Sequence, residues 1–139
     1  MRILFGAVGL AVLAGCSTTA VSVDEASPAP ANRITGYQKP LADGGKIIVV
    51  RDSGFNGGGC YANVFLNGKA VAQLNPREKV EFYVAPGDWV LGAALDGGGL
   101  CALNPNRLET DLTIKSGQVK KYRVYKPGDG DVGVKPTTI

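Results

Sequence analysis

Tyr61-Ala62-Asn63-Val64-Phe65-Leu66-Asn67-Gly68-Lys69-Ala70-Val71-Ala72-Gln73-Leu74 reads as two short strands around a tight turn. Ala62, Val64 and Leu66 alternate on one side, the period of a half-buried strand. Asn67 and Gly68 both tolerate positive φ, as a two-residue type I′ turn requires. Lys69 to Leu74 makes the return strand. The chain declares itself as β here.

The flanking sequence repeats that grammar. Lys46-Ile47-Ile48-Val49-Val50-Arg51 is a β-branched strand, apolar on both faces. Val80, Phe82 and Val84 point one way, and Lys79, Glu81 and Tyr83 the other. Ala85-Pro86-Gly87-Asp88 is a tight turn, with proline presetting φ and glycine taking the left-handed position. Trp89, Leu91, Ala93 and Leu95 share the face of the next strand. Leu108, Thr110, Leu112 and Ile114 share another, closed by a turn at Ser116-Gly117, and residues 119–125 complete the set. No segment has the period of an amphipathic helix. The short spacing of the turns predicts an all-β domain over residues 34–126, a small seven-stranded antiparallel β-sandwich rather than a ligand-holding barrel.

Outside that domain the composition changes. Residues 127–139, opening Pro127-Gly128-Asp129-Gly130-Asp131, read as a flexible C-terminal tail. The Asp-Gly-Asp run lacks the further oxygen ligands of a calcium loop. Residues 16–33 are small, polar and dotted with proline, a composition that reads as a flexible tether. At the start, Met1-Arg2 precedes an apolar run from Ile3 to Leu13, too short to span a membrane and suited to a signal peptide over residues 1–15.

Leu13-Ala14-Gly15-Cys16 resembles the lipobox of bacterial lipoproteins: a branched apolar residue, two small residues, then cysteine. The resemblance implies cleavage before Cys16, a diacylglyceryl thioether on its sulfur, and acylation (palmitate, for example) of the new amine. Each buried methylene contributes about 0.8 kcal/mol, so two or three chains hold far more firmly than one. Membrane lipid, through acylated Cys16, is therefore the expected first partner. Ser17 stands where an aspartate tends to retain lipoproteins at the inner membrane, so the pattern resembles that of the periplasmic face of the outer membrane.

The remaining cysteines, Cys60 and Cys101, form an even pair, which in an exported domain reads as a disulfide; two free buried thiols are the alternative. Each lies beside a glycine run, Gly57-Gly58-Gly59 before Cys60 and Gly97-Gly98-Gly99 before Cys101. The first reading is that these loops need permissive dihedrals to bring the cysteines together. The second is a binding rim, because glycine backbones form anion-catching nests. Neither run fits a P-loop or dinucleotide fingerprint, and no motif calls for a cofactor or a metal.

Composition argues against catalysis. Histidine, the commonest general base and metal ligand, is absent. Asp96, Glu109 and Asp111 are the carboxylates to consider as acid–base partners, yet Glu109 and Asp111 alternate onto one outer face. The net charge is +3, with Lys120-Lys121 and Arg123 the one basic cluster; on a strand it reads as a solvated face rather than a nucleic-acid site. Trp89 with Tyr61, Tyr83, Tyr122 and Tyr125 gives either a carbohydrate- or peptide-binding surface or ordinary packing.

Asn67-Gly68-Lys69, the strand from Val80 to Val84, and Pro86-Gly87 before an aromatic-led strand resemble small β-sandwich envelope modules of the PEGA type. Arg51-Asp52-Ser53-Gly54-Phe55, Gly59-Cys60 and Pro86-Gly87 are similar to a family of small bacterial lipoproteins of unknown function. The resemblance covers about residues 34–125 and implies a fold and an address, with no activity. The expectation is a non-enzymatic envelope module that binds another protein or peptidoglycan, or assists an assembly. The alternatives are a periplasmic inhibitor braced by its disulfide and a carboxylate-dependent enzyme.

Overall fold

The computed structural model describes residues 17–54, 59–97, 99–102, 106–128 and 130–139. The expected signal segment, Cys16, Gly57, Gly58, Gly98 and Asp129 lie outside the described residues.

Strands β1 (Ser27–Pro28), β2 (Gly45–Arg51), β3 (Tyr61–Leu66) and β4 (Lys69–Leu74) are followed by β5 (Glu78–Val84) and β6 (Gly87–Asp96). Then come β7 (Leu108–Ile114), β8 (Val119–Tyr125) and β9 (Gly133–Pro136). Two 3-10 turns, Ala31–Arg33 and Gly99–Ala102, interrupt them, and the described residues contain no α-helix. One sheet has the order β1-β5-β2-β8-β9 and the other β4-β3-β6-β7. Ile47, Val49, Phe82 and Val124 of the first sheet share a core with Val64, Leu66, Leu91 and Ile114 of the second. Burying each such side chain contributes about 1.5–3 kcal/mol.

The Asn67-Gly68 turn forms as its residues demand, with φ of 48° and 80°. A register shift between Val64 and Phe65 sets one extra residue into β4, and Val71 turns inward there.

The expectation of seven antiparallel strands is corrected on both counts. The described residues form nine strands, and the first sheet is mixed: β2 runs parallel to β8, and β1 parallel to β5. The cause lies in the turn after β7. Its Lys115 and Gln118 lead the chain out of the second sheet and into the first, beside the start of β2, where Lys46 N donates to Gln118 O at 2.8 Å. A strand arriving from the other sheet has no hairpin to force it antiparallel.

The proposed tether is corrected as well, over its described part. Residues 17–29 lie along the first sheet, and the turn Ala31–Arg33 reaches β4 of the second, where Arg33 Nη1 donates to Gln73 O at 2.8 Å. Thr19 and Ser53 exchange backbone hydrogen bonds of 2.9 Å, β1 pairs with β5, and Ala29 enters the main core. Val21, only 2% exposed, packs with Ala26, Ile48 and Val50 in a second apolar cluster. The driving force is the two-faced character of β2. Ile47 and Val49 use the main core, so Ile48 and Val50 need a separate cover, and the N-terminal segment is that cover. Arg33 then pins the segment to β5, its two guanidinium nitrogens meeting the Glu78 carboxylate at 2.7 Å each.

The expected flexible tail is likewise ordered over part of its length. Gly133–Pro136 extends the sheet as β9 alongside β8, and Val132 and Val134 join the core. Apolar residues alternating with glycine outweigh the turn-rich start of this segment.

Candidate functional site

At the end of the molecule where β2 and β8 finish and β3 begins, charged groups are buried. Arg51 continues the inward row of Ile47 and Val49, and Asp52 the outward row of Ile48 and Val50. Alternation therefore drives one charge into each layer. Arg51, 5% exposed, donates from Nη1 to Cys60 O at 2.6 Å and to Leu74 O at 2.7 Å. It thus ties β2 across the core to the ends of β3 and β4. Burial pulls its pKa down to about 10, against the opposing pull of Glu78, which leaves it charged at neutral pH.

Asp52, 1% exposed, lies under the N-terminal segment. Its Oδ2 accepts from Arg123 Nη2 at 2.8 Å and from the Thr18 hydroxyl at 2.7 Å. Thr18 N also donates to Lys126 O at 3.0 Å. Among the described residues, Asp52 Oδ1 and Arg123 Nε meet no hydrogen-bond partner. The cluster is a latch, closing the N-terminal segment onto the ends of β2 and β8. Enclosure and an arginine partner suit Asp52 to holding this geometry. Sequence reading passed over it, although a charged pair directly after four apolar residues of a two-faced strand was the available signal.

Beside the latch, Cys60 and Cys101 are joined, with a Cα–Cα distance of 5.6 Å. Gly97 sits at φ +127°, and a Cβ on it would stand 3.1 Å from Cys101 Cβ. That close approach explains the glycine by the disulfide. Gly99 takes a left-handed φ of +60°, whereas Gly59 has open space around it. The described members of the two runs, Gly59, Gly97 and Gly99, thus lie in sequence beside the disulfide, and Gly97 is also packed against it.

The opposite end carries a cleft of about 630 Å³ between the edge of β7 and the first half of β8. Trp89, Leu112 and Tyr122 supply apolar surface to it, and Asp88, Asp111 and Lys120 supply charge. Trp89 is fixed by donation from Nε1 to Ala85 O at 2.9 Å and by an edge-on contact with Tyr37, centroids 5.5 Å apart. Asp88 is oriented by Thr113 Oγ1, which donates to it at 2.7 Å. Among the described residues β7 pairs on one side only, with β6, which makes it an edge strand, the kind of element to which an extended ligand can add.

The suggested acid–base carboxylates do not converge. Asp96 accepts from Gln73 Nε2 at 2.6 Å at the end of β6, and Glu109 pairs with Arg107 at 3.6 Å on the outer face. Asp111 alone reaches the cleft. The tyrosines form no continuous platform either. Tyr122 is buried, while Tyr61, Tyr83 and Tyr125 lie apart, beneath Arg33, Lys46 and Lys135 respectively. The basic cluster divides too, with Lys120 at the cleft and Arg123 on Asp52. Among the described residues no group of three or more Cys, Asp or Glu side chains is placed to hold a metal ion. No family model, curated protein or solved structure matches this chain.

Proposed function

We propose that this chain is a lipid-anchored, non-enzymatic protein of the bacterial envelope, held by acylated Cys16 at the periplasmic face of the outer membrane. The observation that carries the reading is the lipobox-like Leu13-Ala14-Gly15-Cys16 directly ahead of a small β domain. The Cys60–Cys101 disulfide supports it, because such bonds persist in oxidising compartments. Two sheets facing one core also suit the β-sandwich of a PEGA-like envelope module. The domain binds through the end that carries the cleft. There, the β7 edge and the cleft beside Trp89 suit an extended segment of another envelope protein, with main-chain pairing for affinity and Asp88, Asp111 and Lys120 for selection.

Intact-mass analysis of protein extracted from membranes tests the anchor. The expected species begins at Cys16 and carries acyl chains. A longer mature chain with an unmodified thiol would overturn the assignment.

A further inference from the structure

We infer that the domain rests flush on the membrane, with the latch-and-disulfide end against the lipid and Leu100 entering the headgroup layer. This rests on the proposed acylation of Cys16. Residue 16 is two peptide units from Thr18, a reach of about 7 Å at full extension. Thr18 is itself fixed by hydrogen bonds to Asp52 and Lys126, and Thr19 by its bridge to Ser53. A lipid attached at residue 16 therefore has no slack to spend before the folded body begins. The point of lipid attachment then lies within about one nanometre of the latch.

The same end carries the surface that such a position calls for. Leu100, in the 3-10 turn Gly99–Ala102, is 82% exposed, the most exposed of the large apolar side chains described. The disulfide at Cys101 holds that turn beside Cys60, and Arg51 bonds to Cys60 O from the latch side. Exposed Arg77, whose backbone N donates to Arg51 O at 3.1 Å, adds a cation at this end for anionic headgroups. An apolar tip with a nearby cation, next to a covalent lipid, matches the boundary between headgroups and acyl chains. The cleft beside Trp89 is left at the far end, facing away from the membrane.

The chain holds a single tryptophan, Trp89, which reports on the far end. The full acylated protein would be reconstituted in vesicles containing brominated phospholipid, as wild type and as Leu100→Trp. The expected result is that Trp89 emission is little changed, while the added emission at position 100 is quenched about twofold or more, since insertion reaches 5–10 Å. A flexible Gly-Ser spacer of about ten residues between Ser17 and Thr18 should relieve that quenching without loss of vesicle flotation. Flotation with position 100 no more quenched than Trp89 would overturn the flush geometry and leave the anchor standing. A chain that neither bears acyl groups nor floats would overturn both.

Discussion

Thr18 and Lys126 stand 108 positions apart and hold each other by N–H donation in both directions, Thr18 N to Lys126 O at 3.0 Å and Lys126 N to Thr18 Oγ1 at 2.9 Å. The Thr18 hydroxyl donates its own hydrogen bond to Asp52, so one small side chain ties the N-terminal segment to the residues that follow β2 and β8.

Loss of Asp52 should therefore be felt well beyond its own position. Asp52→Ala leaves Arg123 without its carboxylate and Thr18 without its acceptor, at a cost of about 3 kcal/mol. Thr18→Val, which keeps the shape, should cost about 1 kcal/mol. Urea unfolding reads both. Amide exchange should speed up over residues 18–29 in either variant, and unchanged exchange there would contradict the latch.

The Cys60–Cys101 bond closes a separation of 41 residues. Replacing both cysteines with alanine should lower stability by about 4 kcal/mol in the chain-entropy description. A shift of the urea midpoint measures it. Thiol labelling of the unfolded, non-reduced protein should find neither residue.

Glu78 gives the domain an acid-sensitive contact. Burial alone would raise its pKa, but the hydrogen bonds from Arg33 and Asn75 N–H, with the charges of Arg33 and Arg51, hold it below its usual 4.5. Because the folded value lies below the unfolded one, the contribution is complete above about pH 4.5 and fades as pH falls through the folded value. Stability measured from pH 7 down to pH 3 should thus drop less steeply in Glu78→Gln than in the wild type. At pH 7 the same substitution should cost roughly 1–2 kcal/mol.

Two glycines separate packing from chain freedom. A Cβ on Gly45 would collide with Ile114 Cγ2 and stand 2.8 Å from Gln118 O, so Gly45→Ala should destabilise by about 1–3 kcal/mol. Gly59 has nothing within 4 Å of that position, and Gly59→Ala should change stability by less than about 0.5 kcal/mol. Thermal melts of the two variants decide it.

What the sequence made readable was local. Alternation and turn chemistry located strands β2 to β8, and the even cysteine pair pointed to the bond that forms. The misreadings concern partners distant in the chain. Residues 17–33 look like tether because their own composition cannot build a core; what orders them is the spare apolar face of Ile48 and Val50, carried by another segment. The same applies to Val132 and Val134, whose burial depends on β8 offering a free edge. The clue to the first was present in β2, a strand apolar on two sides with only one side accounted for. The cleft beside Trp89 had no clue of that kind, since it arises where β7 and β8, on different sheets, fail to meet.

Because β2 is laid between β5 and β8, and Thr18 waits for Lys126, the order of emergence matters. A polypeptide leaving a ribosome or a translocation pore from its N-terminus exposes β2 long before residues 119–136 appear. Its central strand then lacks a neighbour, and the slow, non-local pairing cannot finish. Closure of the first sheet and of the Thr18–Lys126 contact is therefore expected only once residues 119–136 have emerged.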